Sequence, residues 1–193
     1  RHANAGKNAW VEATLRDFRT RNPQESGFCA DCHAPAAFVR TKRPGASDLT
    51  NPDTVDLLAL DPNDPYGPRT HGVQCIACRR VSEVTNDIKA FNFAGGAVLD
   101  KSSTPLQVHG PWDDVVEMRS VPNPVYTQSL YCSPCHEYER PADGGRPAIP
   151  GQSTYSEWLR WQARLPEDSP FKGTGTCQHC HMPAPEDGKT HYA

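Results

Sequence analysis

The feature that most limits what this chain can fold into is its cysteine pattern: all eight cysteines of the 193 residues fall into four C-x-x-C pairs, with none left over. The pairs are Cys29/Cys32, Cys75/Cys78, Cys132/Cys135 and Cys177/Cys180. Three are followed at once by histidine: C-A-D-C-H ends at His33, C-S-P-C-H at His136 and C-Q-H-C-H at His181. Sulfurs at i and i+3 lie on one side of a tight helical turn, so each pair can reach two points on one rigid edge. C-x-x-C-H is the attachment signature of c-type haem. The thiols bond the two vinyl groups of the porphyrin, and the next residue lies beneath the ring, where its imidazole can bind iron.

Other chemistry of paired cysteines fits less well. Zinc ribbons place the second pair ~15–20 residues after the first. Here 42 residues separate Cys32 from Cys75, 53 separate Cys78 from Cys132, and 41 separate Cys135 from Cys177. A thioredoxin-like site needs one motif in a βαβ setting, not four along a proline-rich chain. A disulfide framework has no reason to set histidine after the second cysteine of a pair.

Composition points the same way. Apolar residues make up only 36%, against 19 Pro and 14 Gly. Such a chain needs a staple or a large apolar cofactor to complete a core, and its backbone should be rich in loops. The net charge of −3, without a run of Lys or Arg, gives nucleic-acid binding no support. No apolar stretch approaches the ~18 residues of a membrane span. The sequence starts at Arg1 rather than Met and reads as a processed or trimmed chain, which leaves room for a removed export signal.

The second pair departs from the pattern. It reads C-I-A-C-R, with Arg79 in the histidine position. A guanidinium stays protonated and has no lone pair for iron, so Arg79 is not a ligand. Three explanations stay open. A haem attached here takes its axial ligand from elsewhere or keeps an open position; the thiols pair or stay reduced, leaving three haems; or Arg79 replaces an ancestral histidine or reflects a sequence error. The expectation is a fourth haem.

Five histidines lie outside the motif ends: His2, His71, His109, His179 and His191. Isolated histidines in polar loops are ordinarily surface residues. Beside three or four irons they become candidate second ligands, and two imidazoles give a low-spin iron suited to carrying electrons. His109 ranks first, because Gly110-Pro111-Trp112 supplies a rigid turn and a ring able to pack on a porphyrin face. His71, beside Pro68 and Gly72, ranks next. His2 and His191 near the ends follow, and His179, inside a motif, could serve only another haem. Met118 is a weaker candidate that would raise its haem's potential; Met182 reads as packing.

Helical periodicity predicts helices over Asn8–Arg21 and over Thr154–Leu165, the second opened by a Thr154/Glu157 capping box and lined by Tyr155, Trp158, Leu159 and Gln162. Shorter helices are expected at Thr54–Leu60 and Trp112–Arg119, and a small hairpin at Phe91–Leu99. Thr41–Pro52, Asp61–Pro68 and Pro141–Gln152 read as loops. The motifs recur every 45–55 residues or so, but the intervening sequences do not match, so no solenoid is expected.

The segment T-Y-S-E-W-L (Thr154 to Leu159), followed by T-C-Q-H-C-H-M-P (Thr176 to Pro183), resembles the multihaem cytochrome superfamily. That group includes the tetrahaem cytochromes of ammonia oxidisers and the pentahaem nitrite reductases. F-C-A-D-C-H-A-P (Phe28 to Pro35) resembles its first-haem region. The resemblance covers about a third of the chain. It implies one multihaem cytochrome c domain over residues 1–193, mainly α with long irregular loops, built around stacked haems with many bis-histidine irons. Covalent attachment outside the cytoplasm is implied too, hence a periplasmic or extracellular location.

The expected function is single-electron relay between redox-partner proteins. Two alternatives remain. One is a small-oxyanion reductase with an open iron at Cys75/Cys78: in the nitrite reductases the catalytic haem carries Lys after C-x-x-C. Arg79 stands there, but it cannot ligate as neutral Lys does, and the rest of that active site is not recognisable. The other is a subunit of an extracellular cytochrome filament, with His2 or His191 reaching a neighbouring copy.

Overall fold

The structure, a computed structural model, describes residues 9–21, 32–35, 72–73, 75–85, 97–99, 107–111, 119–140, 147 and 149–182. Helix α1 spans Ala9–Arg21, within a residue of the periodicity that predicts it. Its Leu15 is buried, while an Arg21–Asp17 ion pair runs along its exposed side. The helices and loops expected at Thr54–Leu60, Thr41–Pro52 and Asp61–Pro68 lie outside the described residues.

From the second cysteine pair onward the elements alternate in short pieces. Helix α2 (Cys75–Arg79) leads into strand β1 (Val81–Val84), which pairs antiparallel with β2 (Ala97–Leu99). Of the expected Phe91–Leu99 hairpin only residues 97–99 are described: they form a strand, and β1 is its partner, while residues 91–96 lie outside the described residues. Val81 and Val84 point into the core, and the β-branched pattern of V-S-E-V explains why that segment supplies the second strand. Strand β3 (Gln107–Gly110) pairs in parallel with β4 (Arg119–Pro122). Arg119, expected to end a helix, instead begins that strand; residues 112–118 lie outside the described residues.

Asn123-Pro124 then opens a 3-10 turn over Pro124–Thr127. The Asn123 side chain accepts from the Val125 amide at 3.0 Å, and proline suits the first helical position. A second such turn covers Ser129–Cys132, and helix α3 (Ser133–His136) continues it. Strands β5 (Glu137–Arg140) and β6 (Ile149–Ser153) pair antiparallel, so the end of the expected Pro141–Gln152 loop is a strand.

Helix α4 (Thr154–Arg164) has a different cap from the one expected. Ser153 is its N-cap and donates to Glu157 Oε1 at 2.8 Å, one residue before the expected Thr154. The buried Glu137 carboxylate also accepts from the Ser156 amide at 2.9 Å and its hydroxyl at 2.6 Å, satisfying an orphan donor of the first turn. Leu159, expected on the packed side, is 42% exposed, because Trp158 takes that place and donates from Nε1 to the Gly175 carbonyl at 2.7 Å. Helix α5 (Cys177–His181) follows, capped by Thr176 Oγ1, which accepts from the His179 amide at 3.1 Å.

The described core is built of small side chains: Ala34, Ala77, Val81, Val84, Ala97 and Val108, with Leu15. Large apolar side chains stand outside it. Trp10 is 84% exposed and Met182 66%, with Trp161 and Phe171 also at the surface. Among the described residues no helix is long and apolar enough to cross a membrane.

Candidate functional site

The described cysteines lie on single helical turns, the local geometry their spacing demands. Cys75 and Cys78 open and close one turn of α2, and Cys177 and Cys180 do the same in α5. Cys132 has helical backbone angles as the N-cap of α3, one turn before Cys135. Cys32 and His33 are helical as well, whereas Cys29 lies outside the described residues. None of the seven described cysteines is in a disulfide.

These motifs, far apart in sequence, converge on the segment 123–137. From the first motif, Cys32 Sγ faces the Pro134 carbonyl at 3.9 Å. Cys32 and Cys135 both pack on the cluster of Val81, Val84 and Ala97, beside Leu130 and Tyr131. From the second motif, the Cys78 carbonyl accepts from Tyr126 Oη at 2.5 Å and Tyr131 Oη at 3.1 Å. The two tyrosine rings stack with centroids 4.4 Å apart, and Tyr126 Oη also reaches the Val81 carbonyl at 2.9 Å. From the fourth motif, the Cys177 amide donates to Ser129 Oγ at 2.9 Å, and Gln178 Nε2 donates to the carbonyls of Tyr126 (3.1 Å) and Gln128 (2.8 Å).

The electrostatics follow from burial. Burial pushes the Cys132 thiol up to about 12, and the neighbouring thiols of Cys177 and Cys78 push further. Burial likewise raises Cys78, against the opposing effect of a hydrogen bond from Tyr131. Tyr126 rises to about 12 and Tyr131 rises as well, both chiefly through burial. Tyr155 on α4 is raised by burial and by its neighbours Cys177 and Glu137. The thiols of Cys78 and Cys132 thus sit in a low-dielectric neighbourhood that favours their neutral state. Among the described residues, however, no group of three or more His, Cys, Asp or Glu side chains is arranged to hold a bare metal ion.

Each motif histidine has its own surroundings. His33 lines an open cleft of about 180 Å³ with Trp10, Val11, Thr14 and Leu15 of α1, an apolar wall facing an imidazole. His136 Nδ1 lies 3.2 Å from Gln152 Nε2 on β6. As placed, the amide N–H₂ donates to Nδ1; only with the amide turned by half a revolution would Oε1 accept from Nδ1–H and leave the Nε2 lone pair a metal-bound imidazole needs. His181 is exposed at the end of α5, next to Met182.

Of the other candidates, His109 is 6% exposed on β3, and Arg79 Nη1 donates to its carbonyl at 3.4 Å. His179 is exposed. His2, His71, His191 and Met118 lie outside the described residues. Sequence reasoning missed Gln152, the Tyr126/Tyr131 pair and Ser129. No motif marks them, and only contacts between distant segments identify them. No protein-family model, curated protein or solved structure matches the chain.

A covalently held porphyrin would need paired thiols on one turn, an axial imidazole and an apolar surround. Among the pairs described on single helical turns, Cys132/Cys135 and Cys177/Cys180 are followed by imidazole and Cys75/Cys78 by Arg79, and burial favours the neutral thiol at Cys78 and Cys132. Large apolar side chains stand beside these motifs: Trp10 lines the cleft with His33, and Met182 follows His181. A porphyrin face is a surface they would cover.

Proposed function

We propose that this chain is a multihaem c-type cytochrome that relays single electrons between redox-partner proteins. The observation that carries the reading is the repeated C-x-x-C-H, three times among four cysteine pairs with no cysteine to spare. Bound haem iron would supply reversible one-electron exchange. The protein's part is to hold each centre through Cys29/Cys32, Cys75/Cys78, Cys132/Cys135 and Cys177/Cys180 and to ligate iron through His33, His136 and His181.

Convergence of the motifs on residues 123–137 supports relay, since electrons pass readily only between centres held close together. Gln152 would fix the orientation and basicity of the His136 ring. The α1 cleft would set an apolar wall against one side of His33, and contacts of this kind help set haem potentials. Arg79 is turned to the His109 carbonyl, which favours carrier over reductase: a substrate-attracting cation would have to face an open iron instead.

The test is a haem count per polypeptide by alkaline pyridine haemochrome, with intact mass and EPR on the purified protein. Three or four covalent haems, all low-spin and inert to nitrite and hydroxylamine, are expected. Colourless protein with the mass of the bare chain refutes the reading; turnover of an oxyanion moves it to the reductase.

A further inference from the structure

The third and fourth motifs meet thiol to thiol. We propose that in the chain without attached haem Cys132 and Cys177 join as a disulfide under oxidising conditions, a covalent link between two motifs rather than within either. The two thiols lie within hydrogen-bond reach of each other, and both are free.

Backbone geometry explains the approach. Ser129 and Cys132 are the first and last residues of one 3-10 turn, and side chains three apart on such a turn stand along the same edge. Ser129 is buried, and its Oγ accepts from the Cys177 amide at 2.9 Å. The hydroxyl thus docks the first residue of α5 against the edge that carries Cys132. The next residue, Gln178, donates from Nε2 to the carbonyls of Tyr126 at 3.1 Å and Gln128 at 2.8 Å. Three hydrogen bonds from two consecutive residues therefore fix the start of α5 on the stretch that ends at Cys132.

The remaining cysteines of this region are turned to other neighbours. Cys135 packs with Cys32 on the Val81 cluster, and Cys180 is exposed near the end of α5. Cys78 also lies near Cys132, but its thiol is engaged by a hydrogen bond from Tyr131.

The oxidant is a small-molecule disulfide such as oxidised glutathione. One cysteine attacks it as thiolate, which releases a first glutathione thiol and leaves a mixed disulfide; the second cysteine attacks the protein sulfur of that intermediate and releases the other. Two S–H bonds are lost and one S–S bond forms, while two electrons and two protons end on the two glutathione thiols. Burial keeps Cys132 neutral, so Cys177 reacts first and Cys132 resolves the intermediate. On the cytochrome reading, on which this consequence rests, the link withholds one thiol from each of two attachment sites, so haem joins them fully only after the disulfide is reduced.

The test uses the full chain produced without haem, equilibrated in a buffer of reduced and oxidised glutathione, alkylated, and mapped by peptide mass. A Cys132–Cys177 link is expected, in a yield roughly tenfold above that in denaturing urea, where folded contacts no longer raise the effective concentration of this pair. Cys135→Ala/Cys180→Ala should keep the link, and Ser129→Ala should lower its yield severalfold, because Cys177 loses its dock. Disulfides confined to Cys132–Cys135 and Cys177–Cys180 overturn the inference. So does a Cys132–Cys177 yield no higher in the folded chain than in urea, or one unaltered by Ser129→Ala. Such a failure leaves the cytochrome reading standing, whereas colourless protein from a host competent for haem attachment refutes that reading and leaves the disulfide untouched.

Discussion

Gln152 and Gly110 are the residues whose chemistry most exceeds what their types suggest. Gln152 Nε2 lies 3.2 Å from His136 Nδ1, so its amide orients that ring. On the cytochrome reading, Gln152→Glu would place a carboxylate there and stabilise an oxidised iron bound to His136. One midpoint potential should fall by roughly 60 mV, the one-electron equivalent of about 1.4 kcal/mol. Gln152→Leu should raise the same potential. Redox titration reads both, and equal shifts in the two variants would remove Gln152 from the account. Gly110 is constrained by space, since a Cβ would overlap Arg79. Gly110→Ala should displace the Arg79 guanidinium, the mobile end of a long side chain, and cost only about 0.5–1 kcal/mol, the worth of its hydrogen bond to the His109 carbonyl. In an Arg79→Ala background the same change should cost little. A double-mutant cycle by denaturant unfolding gives the coupling; additive effects would mean that Arg79 does not lie against the strand.

At the scale of elements, short pieces are held by side-chain caps rather than by length. The turn at Pro124–Thr127 depends on Asn123, which caps it through Oδ1 and ties it to β1 through the Ser82 carbonyl at 2.6 Å. Asn123→Ala loses a cap worth ~1 kcal/mol and a part-buried hydrogen bond worth ~1 kcal/mol. A loss of about 2 kcal/mol in chemical denaturation is expected, and a loss within 0.5 kcal/mol, roughly the range of neutral surface substitutions, would count against this role. Helix α4 is tied at both ends. Glu137 accepts from Ser156 in its first turn, and Trp158 and Gln162, one turn apart, both donate to the Gly175 carbonyl just before the fourth motif. Apolar spacing made α1 and α4 legible. The cap at Ser153 and the partnership of β1 with β2 were not, because S-T-Y-S-E offers two hydroxyl residues as caps and strand pairing depends on a distant segment.

For the whole molecule, the helical turns that carry the cysteine pairs could be read from the chain because a C-x-x-C pair is local, four residues on one turn. What could not be read is that one stretch, 123–137, receives the other three motifs: Cys32 at Pro134, Cys78 at Tyr126 and Tyr131, Cys177 at Ser129. Such contacts arise from packing across some 50 to 100 residues, and no local pattern encodes them. The arrangement is unequal, and that inequality is measurable. Cys135 lies against the Val81 cluster with Cys32, and Cys132 lies beside Cys177 and Cys78, so the third motif borders all the others. The fourth motif sits at the edge, with Cys180, His181 and Met182 exposed. On the cytochrome reading, replacing Cys177 and Cys180 by alanine should therefore remove one haem and leave the remaining centres with nearly unchanged potentials. Replacing Cys132 and Cys135 removes covalent anchorage from the place where the chain's segments meet. That variant should lose more than one haem per polypeptide and unfold at markedly lower temperature, because the neighbouring motifs lose the surface on which they pack. Haem count and thermal unfolding of the two variants side by side decide the point: equal loss from both would mean that the motifs hold their haems independently and that residues 123–137 are not the hub of the fold.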